Sequence, residues 1–371
     1  MTLRVGFDAT YETLSATGVG RYSRCLRDAL ERTGGPELVL LLAASGRARS
    51  RPAQIVQGLA REAVWYPLVL ERKARREGCS LLHCPQPVVV RSGRLPLVVT
   101  VHDLLPLEHP SLFTRFTRTQ VRASLPSLRR ADRLLTNSNY TRERVVDLLG
   151  IAPERVVVTP LGVGDQFEPV TPDSNWLRSR FGIEGRFVLC VGALEPRKNL
   201  TTALLAFERI VSRDPDLALV VTGPTGWHNR DFEKRLRRTR AQVHLTGFVS
   251  DRELAALYSA TACFLYPSLA EGFGLPVLEA LASGAPVVTS NRGALPEVAG
   301  DAALLSEPDD VESVGEAMSR VLSDPELAAD LRRRGPARAR EFTWARCAEL
   351  TSEVYRELVG TSRGANSSTR S

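Results

Sequence analysis

The chain has 371 residues, a formal net charge of +7, 43% hydrophobic and 25% charged residues. That composition excludes a disordered or low-complexity chain, and the length exceeds what one ordinary core holds, so two domains are expected. The longest apolar runs, such as LVLLLAA at 38–44, fall short of the ~20 residues of a membrane-spanning helix, and the opening MTLRVGFDAT alternates like a strand rather than reading as an export signal. A cytoplasmic protein is expected.

Apolar, β-branched runs alternate with helical patterns from end to end, the signature of parallel sheets flanked by helices. Strands are expected near 3–8, 38–43, 80–83, 97–101, 133–137 and 155–159, then near 187–191, 217–222, 243–245, 262–266, 286–289 and 302–305. Each set suits one doubly wound α/β sheet, giving two Rossmann-like domains, 1–168 and 169–342. The Pro-, Asp- and Gly-rich stretch GDQFEPVTPDSN at 164–175 reads as the linker. An amphipathic helix within 343–360 is expected to cross back onto the first domain, and 361–371 to be a disordered tail. Ligands of such sheets bind beyond the carboxyl ends of the strands, so two sheets facing across a cleft would share a site.

Charge is uneven, with net +9 in residues 1–165 and −2 in 166–371. The clusters Arg72, Lys73, Arg75, Arg76 and Arg115, Arg118, Arg122, Arg129, Arg130 fit an acidic acceptor or peripheral contact with the inner face of an anionic membrane. A solvated helix face explains each run about as well, and no nucleic-acid-binding motif accompanies them. The six cysteines (Cys25, Cys79, Cys84, Cys190, Cys263, Cys347) lack the paired spacing of a zinc site and are expected as reduced thiols. Asp214-Pro215-Asp216 resembles a two-aspartate metal motif but precedes a strand, at its amino end, and reads as a turn.

The candidate chemistry lies at strand carboxyl ends. After the first strand, Gly18-Val19-Gly20 opens a helix, where glycines allow close approach of a phosphate or substrate, although a plain turn would read the same. The 97–101 strand delivers His102, followed by Asp103, to such an end. Only three of the 49 basic residues are lysines, and Lys198 follows Arg197 ahead of a helix, where two fixed cations could stabilise a departing phosphate. Phe248 and Val249 could form an apolar shelf for a base, or simply pack. The most informative stretch is EGFGLPVLE at 271–279: Gly272, Phe273, Gly274 and Leu275 present amides at a helix start marked by Pro276, with Glu271 and Glu279 on either side. Such an arrangement suits a sugar nucleotide, the carboxylates accepting from hydroxyls.

Taken together, GVGRY, VHDLLPLEHP, VGALEPRKNL, TGFVSDREL and EGFGLPVLEALASGAPVVTSN resemble the family 4 retaining glycosyltransferases of GT-B fold, over residues 3 to about 358. Within that family the EPRKN and HDLLP wording is most similar to bacterial mannosyltransferases of O-antigen and exopolysaccharide assembly. The resemblance implies that Glu279 binds the donor ribose, Glu271 the hexose hydroxyls, and the amides of Phe273 to Leu275 the phosphates or sugar. It further implies that Lys198 and Arg197 neutralise the diphosphate, that His102 lies beside the donor sugar, and that Gly18 to Gly20 close over diphosphate and acceptor. One departure is Ala193, where many members carry arginine, and Arg197 is expected to take over its task. No nucleophilic carboxylate stands out, as a same-face mechanism with the leaving phosphate as base would require.

The expected function is hexosyl transfer, mannose from GDP-mannose first, to a hydroxyl of a saccharide, a lipid-linked saccharide or a natural product. No metal or other cofactor is implied. The alternatives are a UDP- or dTDP-sugar hexosyl- or deoxyhexosyltransferase, a sugar-nucleotide epimerase or phosphorylase of the same fold, and a non-catalytic scaffold. Glu271→Ala is expected to abolish transfer and leave melting unchanged.

Overall fold

The computed structural model describes residues 3–14, 18–43, 51–91, 93–171, 173–212, 214–224, 226 and 230–367. The chain forms two compact units, Met1–Gly162 with Thr343–Ser371, and Val163–Phe342.

The first unit is built on six strands: β1 Arg4–Asp8, β2 Glu37–Leu41, β3 Leu81–Cys84, β4 Leu97–Val101, β5 Arg133–Thr136 and β6 Val156–Val158. They are parallel throughout, in the order β2-β1-β3-β4-β5-β6. The second unit carries β7 Phe187–Val191, β8 Ala218–Thr222, β9 Val243–Gly247, β10 Cys263–Tyr266, β11 Val287–Ser290 and β12 Ala303–Ser306. These too are parallel, ordered β12-β11-β10-β7-β8-β9. Every residue of β4 and β8 is buried, because crossover helices cover both faces of a parallel sheet and leave no polar side to alternate. Strand order reverses between β1 and β3 in the first sheet and between β7 and β10 in the second. At such a reversal the flanking connections diverge to opposite faces and open a crevice at the carboxyl ends.

The division between the units falls at Gly162 and Val163, six residues before the boundary read from the sequence. Part of the expected linker packs on the second unit: Phe167 meets Tyr258 ring to ring at 6.1 Å, and Val170 N–H donates to Ser259 Oγ at 3.2 Å. After the second sheet the helix Trp344–Ser367 returns to the first unit, where Cys347, Val354, Tyr355 and Leu358 are buried. It packs against the helix Val19–Arg32. The helix runs past residue 360, so 361–367 of the expected disordered tail are helical; that stretch holds no proline to stop it. Residues 368–371 lie outside the described residues. Among the described residues no helix is long and apolar enough to cross a membrane.

Candidate active site

In the second unit the crevice-forming strands β7 and β10 bring two candidate segments together. Beyond β7 the chain passes Gly192, at φ +139°, into a short 3-10 turn, Pro196–Lys198. A Cβ at Gly192 would lie 3.0 Å from Lys198 Cε, so the glycine gives the lysine stem its bed. Gly223, after β8, sits behind it: a Cβ there would fall 2.1 Å from Gly192 O. Asn199 ends the turn at φ 56°, the one non-glycine residue with positive φ among the described residues. Its Nδ2 donates to Pro308 O at 2.6 Å and Pro267 O at 3.2 Å, bonds that offset the cost of left-handed backbone.

Beyond β10 the chain crosses the 3-10 turn, Leu269 N–H donating to Arg197 O at 2.8 Å, and arrives at Glu271. Glu271 Oε1 accepts from Lys198 Nζ at 2.7 Å, Tyr266 OH at 2.8 Å and Ser268 Oγ at 2.8 Å, while Oε2 accepts from Arg197 Nη1. Lys198 also donates to Tyr266 OH and lies over that ring at 4.8 Å. Lys198 is 9% exposed and Glu271 7%. Burial alone would raise the Glu271 carboxyl, but Arg197 and Lys198 outweigh it and hold it at about 2. Burial, with Arg197 nearby, lowers the Lys198 ammonium in spite of Glu271. Glu195, 3.9 Å from Arg197, is raised by burial.

After Glu271 the glycines set the helix Leu275–Ala282. Gly274 caps it at φ 109° and accepts from Val277 N–H at 2.9 Å; a Cβ there would meet Leu295 Cδ2 at 2.5 Å. Phe273 is buried against Phe342, with ring centroids 5.9 Å apart. Glu279, one turn into the helix and 3% exposed, accepts from Tyr258 OH at 3.4 Å. Gly293, at φ +64°, lets the loop after β11 come so close that a Cβ would be 2.5 Å from Glu271 O. Phe248 is exposed but Val249 is buried: Gly247, at φ +69°, turns the chain so that only the phenylalanine is offered outward. Of the two residues expected as an apolar shelf, only Phe248 is exposed.

The other candidates lie in the first unit. His102 follows β4 and its Nε2–H donates to Pro85 O at 2.9 Å, which leaves the lone pair on Nδ1. Burial lowers its imidazolium to about 4. Asp103 Oδ1 accepts from Leu105 N–H at 3.1 Å. Gly18 caps the helix Val19–Arg32 at φ 56°, and Tyr22 N–H donates to Gly18 O at 3.0 Å; residues 15–17 lie outside the described residues.

Sequence reasoning did not find Tyr266, Ser268 and Asn199. The available signal was a tyrosine and a serine at alternate positions leading out of a strand into Glu271. For Asn199 it was an asparagine, a residue that tolerates left-handed backbone, between a Pro-Arg-Lys turn and a helix.

Two family models match: Glycosyltransferase Family 4 over residues 16–167 and Glycosyl transferases group 1 over residues 178–338. The O-antigen chain mannosyltransferase B of Escherichia coli is 32% identical over 270 residues, 70% of each chain. This chain belongs to the group 1, family 4 glycosyltransferases. The serotype-specific mannosyltransferase WbdA of Escherichia coli is 30% identical, and the glycosyltransferase described here spans only 34% of its length. Among solved structures, the sucrose-phosphate synthase of Thermosynechococcus elongatus superposes with a TM-score of 0.76 at 20% identity, covering 97% of this chain and all of that one. Anabaena Alr3699/HepE in complex with UDP and glucose gives 0.73 at 18% identity, covering 96% of this chain and all of that one. The structural likeness carries the GT-B fold of two Rossmann-like domains.

Proposed function

We propose that this glycosyltransferase moves a hexose, mannose from GDP-mannose first, to a hydroxyl of a saccharide, a lipid-linked saccharide or a natural product, with retention and without a metal. The reading is carried by the cluster of buried Lys198 and Glu271 with the partly buried Arg197 at the β7/β10 reversal, two cations held by one carboxylate beside a glycine-opened helix start. A diphosphate arriving there competes with Glu271 Oε2 for Arg197. The exchange leaves Oε2 to accept a hexose hydroxyl, while Glu279 takes the ribose and Phe248 the base. Reaction breaks the bond from the anomeric carbon to the phosphate oxygen and forms one to the acceptor oxygen on the same face. The acceptor proton passes to the departing phosphate, whose negative charge Lys198 and Arg197 stabilise. The family resemblance assigns His102 to the hexose and Gly18 to Gly20 to the phosphates. The mannosyltransferase names of the relatives favour GDP-mannose; the UDP and glucose of the HepE complex favour a UDP-sugar as the second reading.

Thermal shift with GDP, UDP and dTDP separates these readings: GDP is expected to raise Tm most, and a larger shift with UDP hands the donor to the second reading. Product NMR is expected to give the donor's anomeric configuration, and EDTA to leave turnover unchanged; inversion, or loss of turnover with EDTA, ends that part of the mechanism.

The same enzyme is read as cytoplasmic and peripheral to a membrane. Along residues 56–68 the apolar Val56, Leu59, Val64 and Leu68 are exposed, and the next turns of that face carry Arg72, Arg75 and Arg76. An apolar stripe continuing into cations suits an anionic bilayer surface. Co-sedimentation with phosphatidylglycerol vesicles is expected and is lost in Leu68→Glu; binding unaffected by that substitution rejects the surface.

A further inference from the structure

A chain of buried hydrogen bonds runs through the first unit that neither the fold nor the donor site requires. Tyr355, in the returning helix Trp344–Ser367, places its phenol 2.5 Å from His83 Nδ1. On the other side of that ring, His83 Nε2 is 2.9 Å from Thr100 Oγ1, which is 3.0 Å from Tyr22 OH. All four side chains are at most 1% exposed. Apolar residues of the same size would fill this space without the cost of desolvating three hydroxyls and an imidazole. What polar groups supply instead is position, because each bond fixes its neighbour to within a few tenths of an ångström.

The tautomer of His83 sets the protons on either side of it. If Tyr355 donates to Nδ1, Nε2–H donates to Thr100, whose hydroxyl then donates to Tyr22 or accepts from it; in the other tautomer Nδ1–H donates to Tyr355, Thr100 to Nε2 and Tyr22 to Thr100. Burial holds His83 neutral, its imidazolium lowered to about 3, so the chain carries no net charge in either tautomer.

The chain ends at a side chain that touches His102. Tyr22 meets His102 edge to face, with ring centroids 4.7 Å apart and planes at 82°. It also lies one turn after Gly18, to whose carbonyl its N–H donates. Thr100 precedes His102 by two residues on β4, and Pro85, which anchors His102 Nε2, follows the strand that carries His83. One rigid tyrosine therefore joins the imidazole to the start of the glycine loop.

We propose that Tyr22 is a positioning residue for His102 and that the Tyr355–His83–Thr100 chain holds it in place, so that the C-terminal helix acts on His102 through the helix and strands it packs against. The proposal rests on the reading of His102 as a residue beside the transferred hexose. Its test uses Tyr355→Phe and Tyr22→Phe in the full chain, which keep both rings and remove only hydroxyls. Turnover is followed as GDP release from GDP-mannose, alongside UDP release from UDP-glucose. Each variant is expected to lose about tenfold in kcat, with donor KM and free-nucleotide binding unchanged, since Lys198, Glu271 and Glu279 are untouched. The double variant should lose no more than either single one, because both interrupt one chain. Neither substitution should slow His102→Ala any further. If kcat per folded enzyme is unchanged while Tm falls, the chain is structural and the proposal is overturned. If His102→Ala itself releases nucleotide at the wild-type rate, the His102 reading fails and the proposal with it; if the wild type releases neither GDP nor UDP, the donor reading fails first.

Discussion

At the carboxyl ends of the second sheet two buried charges, Lys198 and Glu271, and the partly buried Arg197 hold one another, whereas in the first unit Tyr22, His83, Thr100 and His102 are fixed with no net charge. Both are preorganised polar sites in parallel sheets. They differ in what a missing partner costs. A buried ion left alone forfeits its whole solvation, while a buried hydroxyl left alone forfeits one hydrogen bond. The second unit should therefore fail abruptly when its cluster is cut, and the first by degrees.

The largest effect expected is that of Glu271→Ala. Transfer is lost, and stability falls by about 3–5 kcal/mol because Lys198 remains buried, and Arg197 partly buried, without their carboxylate. The expectation from sequence is normal melting; a carboxylate 7% exposed and paired with two cations points instead to a loss. Calorimetry decides, and unchanged melting would mean that the cluster is not paired in solution. Gly293→Ala comes next, at about 1–3 kcal/mol, since its φ of +64° and the 2.5 Å approach to Glu271 O leave no room for a Cβ. Nucleotide binding should weaken with it, and a fully stable, fully binding variant would break the link between the β11 loop and Glu271.

Acidification sharpens the contrast. His83 and His102 have folded values of about 3 and 4 against an ordinary 6.5, so the unfolded chain binds more protons below pH 6.5 and stability drops as pH falls through that window. Asp8, raised to about 6 by burial, works the other way between about 6 and 3.8. Glu271, held at about 2 by its cations, keeps its contribution until pH falls below its ordinary 4.5. Hydrogen exchange at pH 7, 6 and 5 should show the first unit loosening before the second, more steeply in Asp8→Asn; the reverse order would contradict the neutral assignment of the two histidines. The smallest effect is that of Phe248→Ala: the ring is 65% exposed, so stability should move by no more than about 0.5 kcal/mol. Nucleotide affinity should fall by about 1 kcal/mol, and titration calorimetry with no loss would remove Phe248 from the site.

Local pattern was enough for the strands, because β-branched runs such as LVVTV and FVLCV declare themselves buried on both faces. It was also enough to put His102, Lys198, Glu271 and Glu279 near strand carboxyl ends, since glycines and prolines punctuate each exit. The partners of Glu271 were not legible. Tyr266 and Ser268 leave β10, Lys198 and Arg197 leave β7, and those strands adjoin only because the sheet is ordered out of sequence. The chain through His83 was further out of reach, for its first bond joins residues 272 positions apart. The unit boundary was misplaced for a related reason: Pro, Asp and Gly mark irregular backbone, but not which core that backbone packs against.

The returning helix also orders events during synthesis. The sheet of the first unit is complete once Val158 is made, yet Tyr355 and Leu358, which close its core, are translated only after the entire second unit. At 5–20 residues per second the nascent first unit waits roughly 10–40 s with that face uncovered. Over that interval its apolar face is open to misassociation, and a ribosome that stops short of the last helix releases a protein whose second unit is finished and whose first is not.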